Sequence, residues 1–241
     1  MQAEEPDDSA LQRALDPLFP AGYLKVIGFL IPAERMSDEL IQWYETEHSV
    51  NARFQWPHMS LYQRNFIMET QSGDPPVYKV VTEFVWKSEE DKRKARALYS
   101  TDAAAKTMTE ILPPFILQPF PANGYFMVPV EGRTVRASPK RSRPDEAKAR
   151  RVVLLRRDPG HQQDAFEEAA LAYAERLADE DPDAGAEIDF RRCAEDAPSP
   201  ADAVIFMDAG AGRVLPPAKG SAFDIVNIFD VKTLRSPILP A

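Results

Sequence analysis

The spacing of apolar residues along this chain changes, about every ten residues, between the period of a strand and the period of a helix. Residues 24–31 are apolar on both faces and predict a central strand. Ser37 follows as a good N-cap, with two acidic residues after it, which predicts a helix that ends near His48. Two strands are predicted next, at 59–67 and 78–86. A second helix, capped by Ser88, is predicted at 89–99, and a fourth strand at 124–130.

This order, β-α-β-β-α-β, is that of the ferredoxin-like split βαβ arrangement. A stretch rich in Arg, Lys, Ser and Pro then indicates a linker. Beyond it the pattern partly repeats, with strands at 152–157, 186–191, 201–207 and 223–231 and a helix at 162–177. The predicted fold class is α+β: two tandem ferredoxin-like units, the second degenerate, packed as a barrel-like pseudo-dimer whose facing sheets enclose a cavity.

The composition shifts set the predicted domain boundaries. An acidic N-terminal arm covers 1–22, the first α+β domain 23–132 and the basic linker 133–150. The second, degenerate domain covers 151–235, and a Pro-rich tail ends the chain at 236–241.

The net charge and the composition argue against several classes of binding partner. The 241 residues carry a net charge of -9, which argues against nucleic acid or an anionic membrane as the main partner. No apolar run has the length of a membrane span, and the acidic N-terminus lacks the features of a secretory signal. With one cysteine, Cys193, an internal disulfide is excluded. These features predict a cytoplasmic protein with a small-molecule substrate, either monomeric or a homodimer.

His48 is the best placed of the three histidines for chemistry. Tyr44 lies one helical turn before it, so the phenol and the imidazole share a helix face and can act on one pocket. An imidazole with a pKa near neutrality can accept and donate protons. The alternative is a histidine at a helix end that binds local carbonyl groups and interacts with the helix dipole.

Four stretches in the first half carry a resemblance to a known family: KVIGFL at 25–30, WYETEH at 43–48, LYQRN at 61–65 and FVWKS at 84–88. In this order they resemble the EthD-type members of the dimeric α/β-barrel superfamily. The resemblance covers about residues 24–130, and the second half shares only the order of elements. It implies an open four-stranded sheet whose free face lines a cavity, in a superfamily of cofactor-free cyclases, decarboxylases, dehydratases and isomerases, oxygenases and haem-dependent enzymes.

Further candidates lie on the predicted strands of the first half. Tyr62 and Arg64 share one strand face, and Asn65 lies on the other. A buried Arg64 suits an anionic or enolate-like substrate, and pairing with an acid such as Glu83 is the alternative. Glu83 lies within an apolar strand, where a carboxylate is a general base with a raised pKa, a residue at a solvent-facing edge or part of an ion pair with arginine.

Aromatic residues and the remaining histidines complete the candidates. Trp86 and Tyr62 are candidates to line the cavity, and His58, beside Trp56, is a candidate at its mouth. His161 receives no role, and an inert thiol is favoured for Cys193. The sequence has no nucleotide-binding glycine motif, no GxSxG and no Cys/His spacing typical of a metal site, so no metal is expected.

The function that these observations favour is a cofactor-independent lyase, isomerase or cyclase acting on a small aromatic, polyketide-like or lactone substrate. His48 is then the general acid and base, and Tyr44 with Asn65 or Arg64 holds the developing oxyanion. Two alternatives stay open. One is a haem-dependent or cofactor-free oxygenase, with His48 as axial ligand or base, and the other is a non-catalytic accessory protein that binds a small molecule.

Overall fold

The computed structural model of the chain describes residues 22–32, 37–43, 46, 52–98, 125–127, 129–136, 150–180, 186–191, 199–208 and 221–235. The strands in these ranges are β1 (Leu24–Pro32), β2 (Met59–Ser72), β3 (Tyr78–Trp86), β4 (Tyr125–Met127), β5 (Pro129–Arg136), β6 (Arg150–Arg157), β7 (Ala186–Arg191), β8 (Ala203–Asp208) and β9 (Phe223–Arg235). The helices are α1 (Asp38–Trp43), α2 (Glu89–Leu98), α3 (Gln163–Asp179) and a 3₁₀ helix, η1 (Ala52–His58).

All nine strands belong to one antiparallel sheet, in the order β4-β1-β3-β2-β9-β6-β8-β7-β5. The first half contributes β4-β1-β3-β2 and the second half β9-β6-β8-β7, so each half has the strand order of the split βαβ unit. The α+β fold class is therefore confirmed. The halves join edge to edge where β2 pairs with β9, so their strands form one continuous sheet.

The two ends of this sheet meet and close it into a barrel. β4 pairs with β1 through Met127 and Ile27, and β5 pairs with β7 through Pro129 and Arg191. Because Met127 and Pro129 are two residues apart in the chain, the outermost strands are within about 7 Å of each other. The inner faces of the two halves therefore face each other across one barrel interior.

Several elements extend beyond their predicted ends. β2 continues to Ser72 and β9 to Arg235, and each extension pairs with the predicted part of the other strand, so that Ser72 lies opposite Ile228 and Arg235 opposite Gln63. Cross-strand bonds such as that from Gln71 Nε2 to Asp230 Oδ2, at 2.7 Å, stabilise this polar part of the sheet. Its residues do not alternate between apolar and polar, so the sequence pattern did not predict it as strand. β5 also reaches Arg136, within the stretch interpreted as a linker, whereas residues 137–149 lie outside the described part of the chain.

Strand alternation divides the buried residues into three groups. Inside the barrel, apolar residues from both halves pack together, among them Ile27, Phe29, Phe206 and Phe229. On the outer surface of the second half, α3 packs on the sheet through its own apolar residues. On the outer surface of the first half, Ala95 of α2 packs against apolar residues of β1, β2 and β3. We call the outer surface of the first half the first helix face and the outer surface of the second half the second helix face.

None of the described helices combines the length and hydropathy that crossing a membrane would require. The cytoplasmic location and the homodimer stay predictions.

Gly73 provides a test of how tightly the halves are joined. Its φ is +87°, and a Cβ there would overlap the carbonyl oxygen of Val226 in β9. We expect Gly73→Ala to lower the free energy of unfolding by about 3 kcal/mol, because the backbone strain and the clash with β9 add. Urea denaturation measures this change.

Gly22→Ala is the matched control, since Gly22 has a φ of +74° but no atom within 4 Å of an added Cβ. The free energy of unfolding of Gly22→Ala should fall by only about 1 kcal/mol, the contribution from backbone strain. Equal losses in the two variants would mean that β9 does not pack closely on the β2–β3 turn.

Candidate functional site

Four ionised side chains meet inside the barrel and link the two halves of the chain. Lys25 Nζ lies 2.6 Å from Asp189 Oδ2 and 3.2 Å from Glu83 Oε2. The other carboxylate oxygen of Glu83 lies 2.8 Å from Arg150 Nη1. Lys25 and Glu83 come from β1 and β3, whereas Arg150 and Asp189 come from β6 and β7. We call these four residues the interior charge cluster.

Two buried amides of β2 complete the network around Glu83. Gln63 Nε2 donates to Glu83 Oε1 at 2.8 Å, and Asn65 Nδ2 donates to the same oxygen at 3.2 Å. The Asn65 carbonyl oxygen accepts bonds from Thr233 Oγ1 at 2.8 Å and from Arg150 Nη1 at 3.3 Å. Strands β2, β3, β6 and β9 are thus tied together by side chains as well as by their backbones.

The register of the first-half strands explains this convergence. Gln63 lies directly opposite Glu83 in the β2–β3 pair, and Lys25 is a diagonal neighbour of Glu83 because Glu83 pairs with Ile27. Cross-strand partners share a face, so these three side chains all enter the barrel. The aromatic ring of Phe206 lies beneath them, 5.2 Å from Lys25 Nζ and 5.0 Å from the Arg150 guanidinium carbon.

The cluster is held in its ionised form. Burial alone would raise the pKa of Glu83, but the charges of Arg150 and Lys25 and the bond from Asn65 lower that pKa to about 2. Burial alone would lower the pKa of Lys25, but the charges of Asp189, Glu83 and Glu187 raise it above its ordinary value. Groups with such pKa values exchange protons poorly near pH 7, so the cluster is suited to joining the halves and not to acid–base catalysis.

Of the alternatives for Glu83, the general base with a raised pKa does not fit, because two cations outweigh the burial of the carboxylate and lower its pKa. The alternative, an ion pair with arginine, is present, but its partner is Arg150 and not Arg64. Arg64 lies on the opposite face of β2 from Asn65, as the alternation predicted. Arg64 and Asn65 therefore cannot serve the same pocket.

Polar side chains are also buried on the first helix face. Arg64 is 2% exposed, and its guanidinium carbon lies 4.8 Å from the centre of the Tyr62 ring. The Tyr62 ring stacks on Phe84 at 5.2 Å with an angle of 13° between the planes. Burial raises the pKa of Tyr62, and the nearby charge of Arg64 offsets part of that rise, so the phenol is neutral at physiological pH. Trp86 is buried on the same face, in contact with the Ala95 cluster.

Thr82 lies beside Arg64 on this face, directly opposite it in the β2–β3 pair. Its side chain is 1% exposed, and its hydroxyl oxygen has no hydrogen-bond partner. Buried hydroxyl groups without a partner are rare in folded proteins because each one loses its bonds to water.

The corresponding face of the second half is closed by apolar packing. Phe166 and Tyr173 of α3 contact Phe223, with ring centres 6.4 and 5.4 Å apart. Phe190 lies against the other edge of Phe166 at 6.0 Å. The Tyr173 ring also contacts Arg176, whose guanidinium carbon lies 5.3 Å from the centre of the ring. The two halves thus share a strand order and differ in what their helix faces bury.

His58 lies at the end of η1 and is bound to the start of α2. Its Nδ1 is 2.9 Å from Asp91 Oδ1, and the second oxygen of Asp91 accepts a bond from Ser88 Oγ at 2.7 Å. Ser88 Oγ in turn accepts the backbone N–H of Asp91 at 3.0 Å, which confirms Ser88 as the cap of α2. The hydrogen bonds from His58 and Ser88 lower the pKa of Asp91. Asp91 thereby fixes the orientation of the His58 ring.

The helix-borne candidates Tyr44 and His48, and the cysteine Cys193, lie outside the described residues, so their roles stay predictions.

The sequence analysis does not select Lys25, Arg150 or Asp189. Lys25 is a charge within an otherwise apolar strand, as Glu83 is, and this is the signal for it, whereas β7 alternates apolar and charged residues and gives no such signal for Asp189. Arg150 was assigned to the linker, because a basic run there hides the start of β6.

No group of three His, Cys, Asp or Glu residues suited to a metal ion occurs within the described ranges.

Neither a protein-family model nor a curated protein matches this sequence. Solved structures with a similar fold include a mutant of chlorite dismutase from Candidatus Nitrospira defluvii, with a TM-score of 0.48 and 9% identity, covering 94% of this chain and 96% of that one. An anthrone oxidase-like protein gives a TM-score of 0.43 at 13% identity, with 91% and 95% of the two chains covered.

A candidate monooxygenase from Lactobacillus acidophilus gives a TM-score of 0.43 at 11% identity, covering 89% of this chain and 94% of that one. At such identities and scores, neither family membership nor an activity passes from these proteins to this chain. The EthD-type resemblance stays a prediction.

Removing the charge of Glu83 should destabilise the whole barrel. We expect Glu83→Gln to lower the free energy of unfolding by about 3–5 kcal/mol, because it leaves buried cations without their shared counter-ion. Chemical denaturation measures this loss. Glu90→Gln is the matched control: Glu90 is an exposed residue of α2 paired with Arg93 and Lys94, and its loss should leave the midpoint unchanged.

Glu83 should also contribute to the acid sensitivity of the fold. Because its folded pKa, about 2, lies below its ordinary value of 4.5, its stabilising contribution is complete above pH 4.5 and is lost as the pH falls toward 2. The difference in stability between the wild type and Glu83→Gln should therefore shrink over that range. A difference that stays constant from pH 6 to pH 3 would contradict the ion-pair account.

Proposed function

We propose that the protein is an enzyme that carries out acid–base chemistry on a small organic substrate bound at the first helix face. The observation that supports this is the contrast between the two helix faces. Arg64 and an unpartnered Thr82 hydroxyl are buried on the first, while apolar rings fill the second. Charged side chains are rarely fully buried, so a guanidinium that is buried on only one of the two helix faces favours a functional role for that face.

In this proposal His48 is the general acid and base, and Tyr44 orients or donates beside it. Both assignments come from their i, i+4 spacing in the sequence. Arg64 supports the charge that develops on a substrate oxygen, through charge-assisted hydrogen bonds in a site that excludes water. The reaction class is a cyclisation, dehydration, decarboxylation or isomerisation, none of which needs a cofactor.

The division of roles between the two faces of the first-half sheet supports the same proposal. Glu83 and Asn65, on the inner face, are occupied by the interior charge cluster and its amides. Arg64 and Tyr62, on the outer face, are not part of that network. Substrate chemistry on the outer face can therefore proceed without disturbing the ion pairs that join the halves.

The test begins with ligand-induced thermal stabilisation by phenolic, polyketide-like and lactone compounds, followed by turnover of the compounds that bind. His48→Ala should keep ligand binding but lose turnover by about 100-fold or more, because general acid–base catalysis contributes that much. His161→Ala is the control, since His161 lies at the start of α3, in the second half, near Asp158. Full turnover in His48→Ala would contradict the proposed role.

The same experiment separates the two alternatives. Stabilisation by haem, with a Soret band that His48→Ala abolishes, would favour the haem-dependent oxygenase. Binding without turnover in any variant would favour the accessory protein.

A further inference from the structure

We propose that His58 and Asp91 form a proton-transfer dyad at the edge of the first helix face, in which Nε2 of the imidazole accepts a proton from a weakly acidic C–H or O–H group of the substrate. The inference rests on the proposed function for the place where the substrate binds. It adds a second proton acceptor to the one assigned to His48.

Asp91 determines which nitrogen of the His58 ring carries the proton. Its Oδ1 lies 2.9 Å from Nδ1. The hydrogen bonds from His58 and Ser88 lower the pKa of Asp91, so the carboxylate is ionised and can only accept hydrogen bonds. Nδ1 is therefore the donor, and in the neutral ring Nε2 has the lone pair that a general base needs.

The accepting nitrogen can be reached from solvent. The side chain of His58 is 20% exposed and that of Asp91 is 25% exposed. Within the described part of the chain Nε2 makes no hydrogen bond, and it is not fully buried, so it is open to solvent. A substrate can therefore approach this nitrogen without a rearrangement of the fold.

The dyad lies at the edge of the first helix face. Asp91 and Ala95 are one helical turn apart, so they share the face of α2 that packs on the sheet. Ala95 packs there against Met59 and Trp86. Met59 follows His58 in the chain and pairs with Trp86 across the sheet. The imidazole thus has buried apolar residues beside it and solvent at its Nε2.

The junction between η1 and α2 is held by other bonds, so the fold does not depend on the imidazole. The backbone N–H of Lys87 donates to the His58 carbonyl at 3.0 Å, and Lys87 Nζ donates to the Pro57 carbonyl at 2.8 Å. Ser88 caps α2 through the backbone N–H of Asp91. A partly exposed pair of charged side chains contributes little to stability in addition. An oriented imidazole with an open nitrogen is instead the arrangement of a base held by a third group.

A second His–Asp pair in the same chain lacks this arrangement. His161 Nδ1 lies 3.6 Å from Asp158 Oδ2, which is too long for a hydrogen bond, so the carboxylate does not orient that ring. His161 is therefore a matched control for His58.

The proton transfer balances without a further reactant. The C–H or O–H bond of the substrate breaks, its electron pair stays on the substrate, and the proton forms a bond to Nε2. The ring is then an imidazolium whose other N–H is paired with the Asp91 carboxylate. Return of the proton to another atom of the substrate completes an isomerisation and restores the neutral ring.

The test uses 5-nitrobenzisoxazole as the probe, with the full chain. A base removes one C–H proton from this probe, the C–H electrons form the nitrile, and the N–O bond breaks to release a coloured nitrophenolate. The wild type should release the phenolate faster than the same concentration of free imidazole. His58→Ala and Asp91→Asn should each slow the release about tenfold or more, since general bases contribute about 100-fold or more with natural substrates. His161→Ala should leave the rate unchanged.

Asp91→Asn also tests how the carboxylate acts. The amide keeps the shape of the side chain, but its N–H₂ group donates to Nδ1, which moves the ring proton to Nε2 and removes the free lone pair. Nitrogen-15 NMR at about pH 8.5, where imidazole rings are ordinarily neutral, should show the Nδ1–H tautomer of His58 in the wild type and the Nε2–H tautomer in Asp91→Asn. Lys87→Met loses a bond of the same junction and should keep both the tautomer and the rate.

Three results would overturn the dyad. They are a wild-type rate no faster than that of free imidazole, an unchanged rate in His58→Ala or Asp91→Asn, and the Nε2–H tautomer of His58 in the wild type. A loss of rate in Lys87→Met equal to that in Asp91→Asn would also overturn it, because the shape of the junction and not the ring proton would then set the rate.

Failure of this proposal and failure of the proposed function give different results. A probe rate that is lost in His58→Ala and kept in His48→Ala supports the dyad, whatever the turnover of His48→Ala with phenolic, polyketide-like or lactone compounds. Loss of that turnover in His48→Ala, with an unchanged probe rate in His58→Ala, rejects the dyad and leaves the proposed function in place.

Discussion

The ion pairs that Glu83 makes with Lys25 and Arg150 are the constraint on which the rest of the structure depends. These charges are buried in the centre of the barrel, where each would be very unfavourable alone. Lys25 and Glu83 come from one half of the chain, and Arg150 and Asp189 from the other. Lys25 and Glu83 also pair with each other, but the bonds of Lys25 to Asp189 and of Glu83 to Arg150 cross between the halves and favour their association in this register.

This pairing leaves the outer surfaces of the sheet to serve different purposes. The second helix face is a closed apolar core around Phe166, Tyr173 and Phe223. The first helix face also buries two polar side chains, those of Arg64 and Thr82. The chain thus has two copies of one strand order, of which the second closes an apolar core and the first is the one that we propose binds the substrate. A single-chain barrel allows this specialisation, whereas two identical subunits would have identical faces.

The element order and the class of fold were predictable from the sequence, because strand period, helix caps and a basic break between halves are local signals. The interior charge cluster was only partly predictable. Glu83 was recognisable as a charge in an apolar strand, but its partner, Arg150, is 67 residues away, and no local pattern indicates which strand becomes its neighbour. Strand alternation predicted that Arg64 and Asn65 point to opposite faces of β2. That the Thr82 hydroxyl lacks a hydrogen-bond partner depends on three-dimensional packing and could not be predicted. The roles of Tyr44 and His48 rest on sequence alone.

The central claim is that the interior charge cluster makes the two halves one cooperative unit. Trp43, Trp56 and Trp86 are all in the first half, so tryptophan fluorescence reports on that half alone. The 17 residues of α3 make it the longest described helix, so far-UV circular dichroism reports strongly on the second half. The decisive measurement is urea unfolding of the wild type followed by both signals. The account predicts one transition with the same midpoint by either probe. Two separated midpoints would show that the halves unfold independently and would contradict it.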